Sequence, residues 1–103
     1  QVKLHGYRIE LGDIENNILR LPEVEQAVVL PKMKEGAVKS LVAFVNYTGD
    51  PEKSERETAK RIQSRLREYL PDYMVPKKMI FMDQIPMTVN GKADRKYLKG
   101  LLA

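Results

Sequence analysis

The chain has 103 residues, enough for one small domain with one modest core. At a radius of gyration of about 13 Å, such a domain is small for a deep substrate pocket plus a complete nucleotide site, so a full enzyme is possible but not favoured. Charged residues make up 31% and hydrophobic residues 43%, the balance of an ordinary globular domain. With no cysteine and a single histidine, neither a disulfide framework nor a zinc site can be built from the chain alone.

The net charge of +4 is mild, and its basic residues are interleaved with acids along the whole chain. That pattern belongs to a solvated surface rather than to a face for nucleic acid. No apolar run approaches the ~18 residues of a membrane span, and no signal-peptide pattern opens the chain, so no membrane insertion and a cytoplasmic location are expected. Gln1 is not an initiator methionine and "QVKL" enters an apparent strand directly, which reads as a fragment or an excised domain.

Val2 to Leu4 is a short strand candidate that runs into a turn at His5-Gly6. From about Glu10 to Leu21, the residues Leu11, Ile14, Ile18 and Leu21 recur at helical spacing, and Pro22 ends that helix. Two β-rich runs follow, Val24 to Pro31 and Ser40 to Tyr47, joined by the charged segment "KMKEGAVK" as a hairpin loop. The second run places Leu41, Ala43, Val45 and Tyr47 on one face and Val42 and Phe44 on the other. Both faces are apolar, so a central strand covered on both sides is predicted.

"TGDPEKS" is a loop, after which Ser54 and Glu57 form a capping box and open the longest helix. Ala59, Ile62, Leu66, Tyr69 and Leu70 give this helix one apolar stripe, and Pro71 stops it. A third strand is predicted over Lys77 to Asp83, and a terminal helix over Asp94 to Leu102. The order β-α-β-β-α-β-α makes an α+β layer, a small three-stranded sheet with packed helices.

Two stretches carry possible chemistry. In "PMTVNGKADRK", Pro86 to Lys96, the turn dipeptide Asn90-Gly91 tolerates positive φ at both residues. It places Lys92 at its exit, ahead of Asp94 at the start of the last helix. This is either a plain turn with a solvated lysine or a fixed base for a mobile ammonium. Such an ammonium suits the attack of a carboxylate on an α-phosphate, because it screens two anions as they approach. In "HGYRIE", Gly6 allows close backbone approach, and Tyr7 and Arg8 offer a flat wall and a fork of donors. The plainer alternative is a strand-to-helix turn with two amphipathic surface residues, His5 being a partly packed turn residue.

Together the two stretches are more specific. "QVKLHGYRIELGDIE" and "PMTVNGKADRK" resemble the motifs that open and close the C-terminal subdomain of the adenylate-forming enzymes, the superfamily of acyl-CoA synthetases, luciferases and peptide-synthetase adenylation domains. The intervening "LPEVEQAVVLP" and "LPDYMVPKKMIFMDQIP" match the family in placement, so the resemblance covers essentially the whole chain. Within the superfamily, "KLHGYRIE" is similar to the D-alanine:carrier-protein ligases. Asp13 stands where the family more often has glutamate, a change confined to helix-start electrostatics.

The resemblance implies a two-step ligase. ATP and an amino acid, D-alanine or a similar one, give an aminoacyl adenylate and pyrophosphate; the phosphopantetheine thiol of an acyl carrier protein then displaces AMP. Residues 1–103 would be a single mobile subdomain that turns against a larger N-terminal adenylation domain outside this chain, and would be inactive alone. Lys92 is implied as the catalytic and ATP-binding lysine, presented by Asn90 and Gly91, while Gly6, Tyr7 and Arg8 are implied to line the pantetheine path. ATP with Mg2+ would be bound mainly by the larger domain.

Three alternatives stay open: a peptide-synthetase subdomain for another amino acid, a docking subdomain that has lost catalysis, and a small basic module that binds RNA. The last needs paired exposed aromatics on a sheet or a glycine clamp loop. Strand parity puts Phe44 and Tyr47 on opposite faces, and no G-x-x-G is present.

Overall fold

The computed structural model describes residues 2–4, 6–49 and 52–102. Its centre is a mixed three-stranded sheet in the order β3-β4-β5, formed by Val24–Lys34, Ala37–Tyr47 and Lys78–Phe81. Strand β4 runs antiparallel to β3, with Val28 opposite Phe44, and parallel to β5, with Phe44 opposite Ile80. The Cα radius of gyration is 13.3 Å.

The central position predicted for β4 holds, and so does its two-faced pattern. Leu41, Ala43 and Val45 are buried in one apolar cluster, while Val42 and Phe44 are buried in a second. The first cluster is closed by α1 (Leu11–Ile18) and α2 (Glu55–Arg67) through Ile14, Ile18, Ile62 and Leu66. The second is closed by Ile85 and by Leu98 of α3 (Arg95–Gly100). Burial on both faces removes the aromatic platform that the RNA-binding alternative requires: Phe44 is buried, and Tyr47 packs edge-on against Phe81.

Several boundaries differ from those predicted. Helix α1 ends at Ile18 rather than Leu21, because Arg20 and Leu21 donate to the carbonyls of Asn17 and Ile18, three residues back, tightening the exit into a narrower turn. Helix α2 begins as expected, with the Glu57 N–H donating to Ser54 Oγ at 3.1 Å. Its last turn winds out before Pro71, so Tyr69 is exposed rather than part of the apolar stripe, and Arg20 stacks over its ring at 4.6 Å. Helix α3 and strand β5 are both shorter than predicted.

The loop expected between the first two long strands is a two-residue turn. Strand β3 continues to Lys34 and β4 begins at Ala37, with Glu35 at φ +52° and Gly36 at φ +80°, the paired positive φ of a tight hairpin connection. Pro31 lies inside β3 at no cost to the ladder. Val29, two residues before it, points its N–H away from β4 toward Glu15, so the donor that Pro31 lacks falls on the outer edge.

The largest correction lies at the N-terminal end. Tyr7–Ile9 is a strand, β2, and pairs antiparallel with β1 (Val2–Leu4) as a separate two-stranded ribbon. Leu4 and Ile9 bury their side chains in the first cluster, which fixes the ribbon on the same face as α1 and α2.

A candidate active-site lysine and a separate aromatic hairpin

Residues 86–94 form a small hairpin that the sequence reads only as a turn. The Asp94 N–H donates to the Pro86 carbonyl at 2.8 Å, and Met87 bridges Ala93. The Thr88 N–H donates to the Lys92 carbonyl at 2.7 Å, and the Gly91 N–H to the Thr88 carbonyl at 3.0 Å. This is a three-residue loop with its last residue in the left-handed region. Gly91 has φ +79°, whereas Asn90 keeps negative φ, so only one residue of the dipeptide uses the freedom expected of both.

Lys92 leaves this hairpin exposed to solvent, with no side-chain partner among the described residues. Val89 at the tip is wholly exposed and Met87 nearly half so. Two residues past Lys92, the Asp94 carboxylate accepts the Tyr97 N–H at 3.0 Å and caps α3, as predicted. The lysine therefore stands on a base braced at both ends, with its ammonium free to reach outward.

A second polar cluster sits at the foot of the same hairpin. The Glu15 carboxylate, on α1, accepts the Val29 N–H at 2.8 Å and both terminal nitrogens of Arg95, at 2.9 and 3.0 Å. The hydrogen bond from Arg95 to Glu15 raises the guanidinium pKa above its ordinary value, against a smaller lowering by burial. Eighty positions separate the two residues, and no local pattern in the sequence connects them.

Gly6, Tyr7 and Arg8 occupy the other end of the chain's structure. Gly6 has φ +81°, and a Cβ built there would meet nothing within 4 Å. Its conformational freedom is needed for the turn, not for close packing inside this domain. Tyr7 and Arg8 are exposed on β2 rather than in a strand-to-helix turn, and His5 lies outside the described residues. The Tyr7 ring stacks on Tyr73, with centroids 3.9 Å apart and planes inclined by 14°. Tyr73, in the 3-10 turn Asp72–Met74, is thus a part of this site that sequence reasoning missed. The only signal for it is an aromatic two residues past Pro71, which does not name its partner.

The structure does not bring the two stretches together. The ribbon bearing Tyr7 and Arg8 is rooted in the cluster on the Ala43 and Val45 face of the sheet. The hairpin bearing Lys92 is rooted through Ala93 and Leu98 in the cluster on the Val42 and Phe44 face. Each is a ready-made projection, and they leave the domain from opposite sides of the sheet. Among the described residues, no group of three His, Cys, Asp or Glu side chains is placed to hold a metal ion, and no helix is long and apolar enough to cross a membrane.

Comparison with known proteins places this arrangement. The D-alanine–D-alanyl carrier protein ligase of Listeria welshimeri is 45% identical over 98 residues, covering 95% of this chain and 19% of that protein. Among solved structures, an acyl-CoA synthetase of Brucella canis matches with a TM-score of 0.85 at 25% identity, over 99% of this chain and 19% of that one. A holo four-domain nonribosomal peptide synthetase bound to AMP and glycine matches with a TM-score of 0.72 at 42% identity, over 93% of this chain and 7% of that one. The chain therefore spans about a fifth of the length of the carrier-protein ligases it matches. Residues 13–92, from the first turn of α1 to the hairpin lysine, match the family model described as the AMP-binding enzyme C-terminal domain. The chain belongs to that family, the C-terminal subdomain of the adenylate-forming enzymes.

Proposed function

We propose that residues 1–103 are the mobile C-terminal subdomain of an ATP-dependent ligase that activates an amino acid and loads it onto a carrier protein. The observation that carries the reading is Lys92: an exposed ammonium with no side-chain partner among the described residues, on a hairpin closed by backbone bonds. In the first step a carboxylate oxygen attacks the α-phosphorus of ATP. The bond to the β-phosphate oxygen breaks, leaving an acyl adenylate and pyrophosphate. Lys92 bridges the acyl and phosphate oxygens, where charge accumulates. A preorganised cation there supports a rate factor of about 10²–10³.

In the second step the sulfur of a phosphopantetheine arm attacks the acyl carbon. The thiol proton is lost and AMP leaves with the electron pair. Gly6, Tyr7 and Arg8 line the path of that arm. The open space around Gly6 and the flat wall of Tyr7 backed by Tyr73 fit a narrow, flexible chain passing close to backbone. Because the two projections leave opposite faces of the sheet, a rotation of the whole subdomain against a larger N-terminal domain exchanges one for the other. ATP and Mg2+ fall mainly to that larger domain in this reading, and a cytoplasmic location follows from the supply of ATP.

D-alanine is the favoured substrate, on the 45% identity to a ligase of that name. A peptide-synthetase subdomain serving another amino acid is the second reading, favoured by the 42% identity to a nonribosomal synthetase. The test uses the complete protein with ATP, magnesium, a phosphopantetheinylated carrier and amino acids including both alanine enantiomers, read by mass spectrometry. A D-alanyl thioester that disappears in Lys92→Ala, while the variant stays folded, is expected. Loading with another amino acid would select the second reading. Unchanged ATP–pyrophosphate exchange in Lys92→Ala would remove the catalytic role of the lysine.

A further inference from the structure

We infer that Glu15 and Arg95 are positioning residues for adenylation: they set the direction in which the Lys92 hairpin leaves the domain. The inference rests on the reading of Lys92 given above. Glu15 has only 13% of its side chain exposed, and its carboxylate is a junction of three elements. It belongs to α1 on one face of the sheet, accepts from Val29 on the edge strand β3, and takes both prongs of Arg95, the first residue of α3 on the opposite face. A two-pronged contact between guanidinium and carboxylate fixes angle as well as distance.

That angle matters because of what else holds α3. The helix has six residues and buries one of them, Leu98. Ala93 and Leu102, just beyond its two ends, are partly buried against the same cluster as Leu98. Apolar burial is non-directional, so these contacts set how deep the helix sits more firmly than how it is rolled. The fork at Arg95 supplies the directional contact. Arg95 lies three residues beyond Lys92, and the intervening backbone is stiff: Asp94 is bonded to Pro86, and Lys92 to Thr88. A roll of α3 therefore moves the lysine tip. Displacements of about 1 Å at a reacting group can cost on the order of 10²-fold.

The experiment uses the complete protein with Arg95→Met, Arg95→Lys, Glu15→Gln, Lys92→Ala and the double variant Lys92→Ala/Arg95→Met. Glu15→Gln keeps an acceptor for Val29, and so separates loss of the ion pair from loss of the strand contact. ATP–pyrophosphate exchange is measured with an amino-acid mixture containing both alanine enantiomers. Thioester formation is measured separately from synthetic D-alanyl adenylate and the phosphopantetheinylated carrier.

Arg95→Met and Glu15→Gln are expected to lower kcat for exchange by about 10–100-fold, with KM for ATP within about twofold and thioester formation nearly unchanged. Arg95→Lys, with the charge but not the fork, should recover only part of the loss. In the Lys92→Ala background, Arg95→Met should cost nothing further. An equal fall in both half-reactions, or a loss that adds to that of Lys92→Ala, would reduce the pair to a general stabilising contact and overturn the inference. Full exchange activity in Lys92→Ala would instead overturn the reading of the lysine, and this inference with it.

Discussion

Gly91 offers the sharpest separation between presenting the lysine and folding the domain. Its φ of +79° lies in the left-handed region, where an L side chain costs about 1–2 kcal/mol relative to glycine. A Cβ added there meets no atom within 4 Å, so a substitution adds no clash and the whole penalty is backbone strain. The hairpin loop is exposed and contributes nothing to either apolar cluster. Gly91→Ala should therefore depress the population of the closed hairpin by at most a factor of about 5–30, without loosening the core. Kinetic assays should show ATP–pyrophosphate exchange falling by up to that factor, with little change in the main thermal transition. Gly91→Asn should recover most of the loss, because asparagine visits the left-handed region with less strain. An alanine variant as active as the parent, or an asparagine variant no better than alanine, would refute the argument that this turn holds Lys92 in place.

Two further outcomes follow from the packing. Leu98→Ala should cost about 2–5 kcal/mol locally, because Leu98 is the one fully buried anchor of α3; hydrogen exchange in the complete protein should rise over residues 86–102 while β3 and β4 keep their protection. Tyr73→Ala removes a stack worth about 0.5–1.5 kcal/mol beyond its area and should loosen the ribbon of β1 and β2, slowing thioester formation more than adenylation. Tyr73→Phe, which keeps the ring, should behave like the parent in both half-reactions.

Strand β4 was legible because its burial is written twice in the sequence, once for each face: six consecutive residues, Leu41 to Asn46, are buried. The capping box at Ser54 and the cap at Asp94 were legible because each joins neighbours three residues apart. Strand β2 was not legible, since three residues with exposed Tyr7 and Arg8 carry too little alternation to announce a strand beside the helix that follows. The tight turn at Glu35-Gly36 was hidden for a different reason. The charged ends of β3 and β4 project beyond the core, so their composition is that of a loop although their backbones are paired. Of the candidate site, the lysine and its turn were local and visible. The Tyr7–Tyr73 stack and the Glu15–Arg95 fork join positions 66 and 80 residues apart, and only the folded chain brings them into contact.

Strand β3 is long and lies at an open margin of the sheet, where a neighbouring chain could add a strand and begin aggregation. Two successive outward positions on it are already disabled. Glu15 occupies the amide of Val29, and Pro31 has no amide to offer. If the subdomain works as proposed, letting go of a larger neighbour and docking again, it spends time with its flanks uncovered. The carboxylate proposed to aim the lysine would then also keep the sheet from serving as a template each time the subdomain swings free.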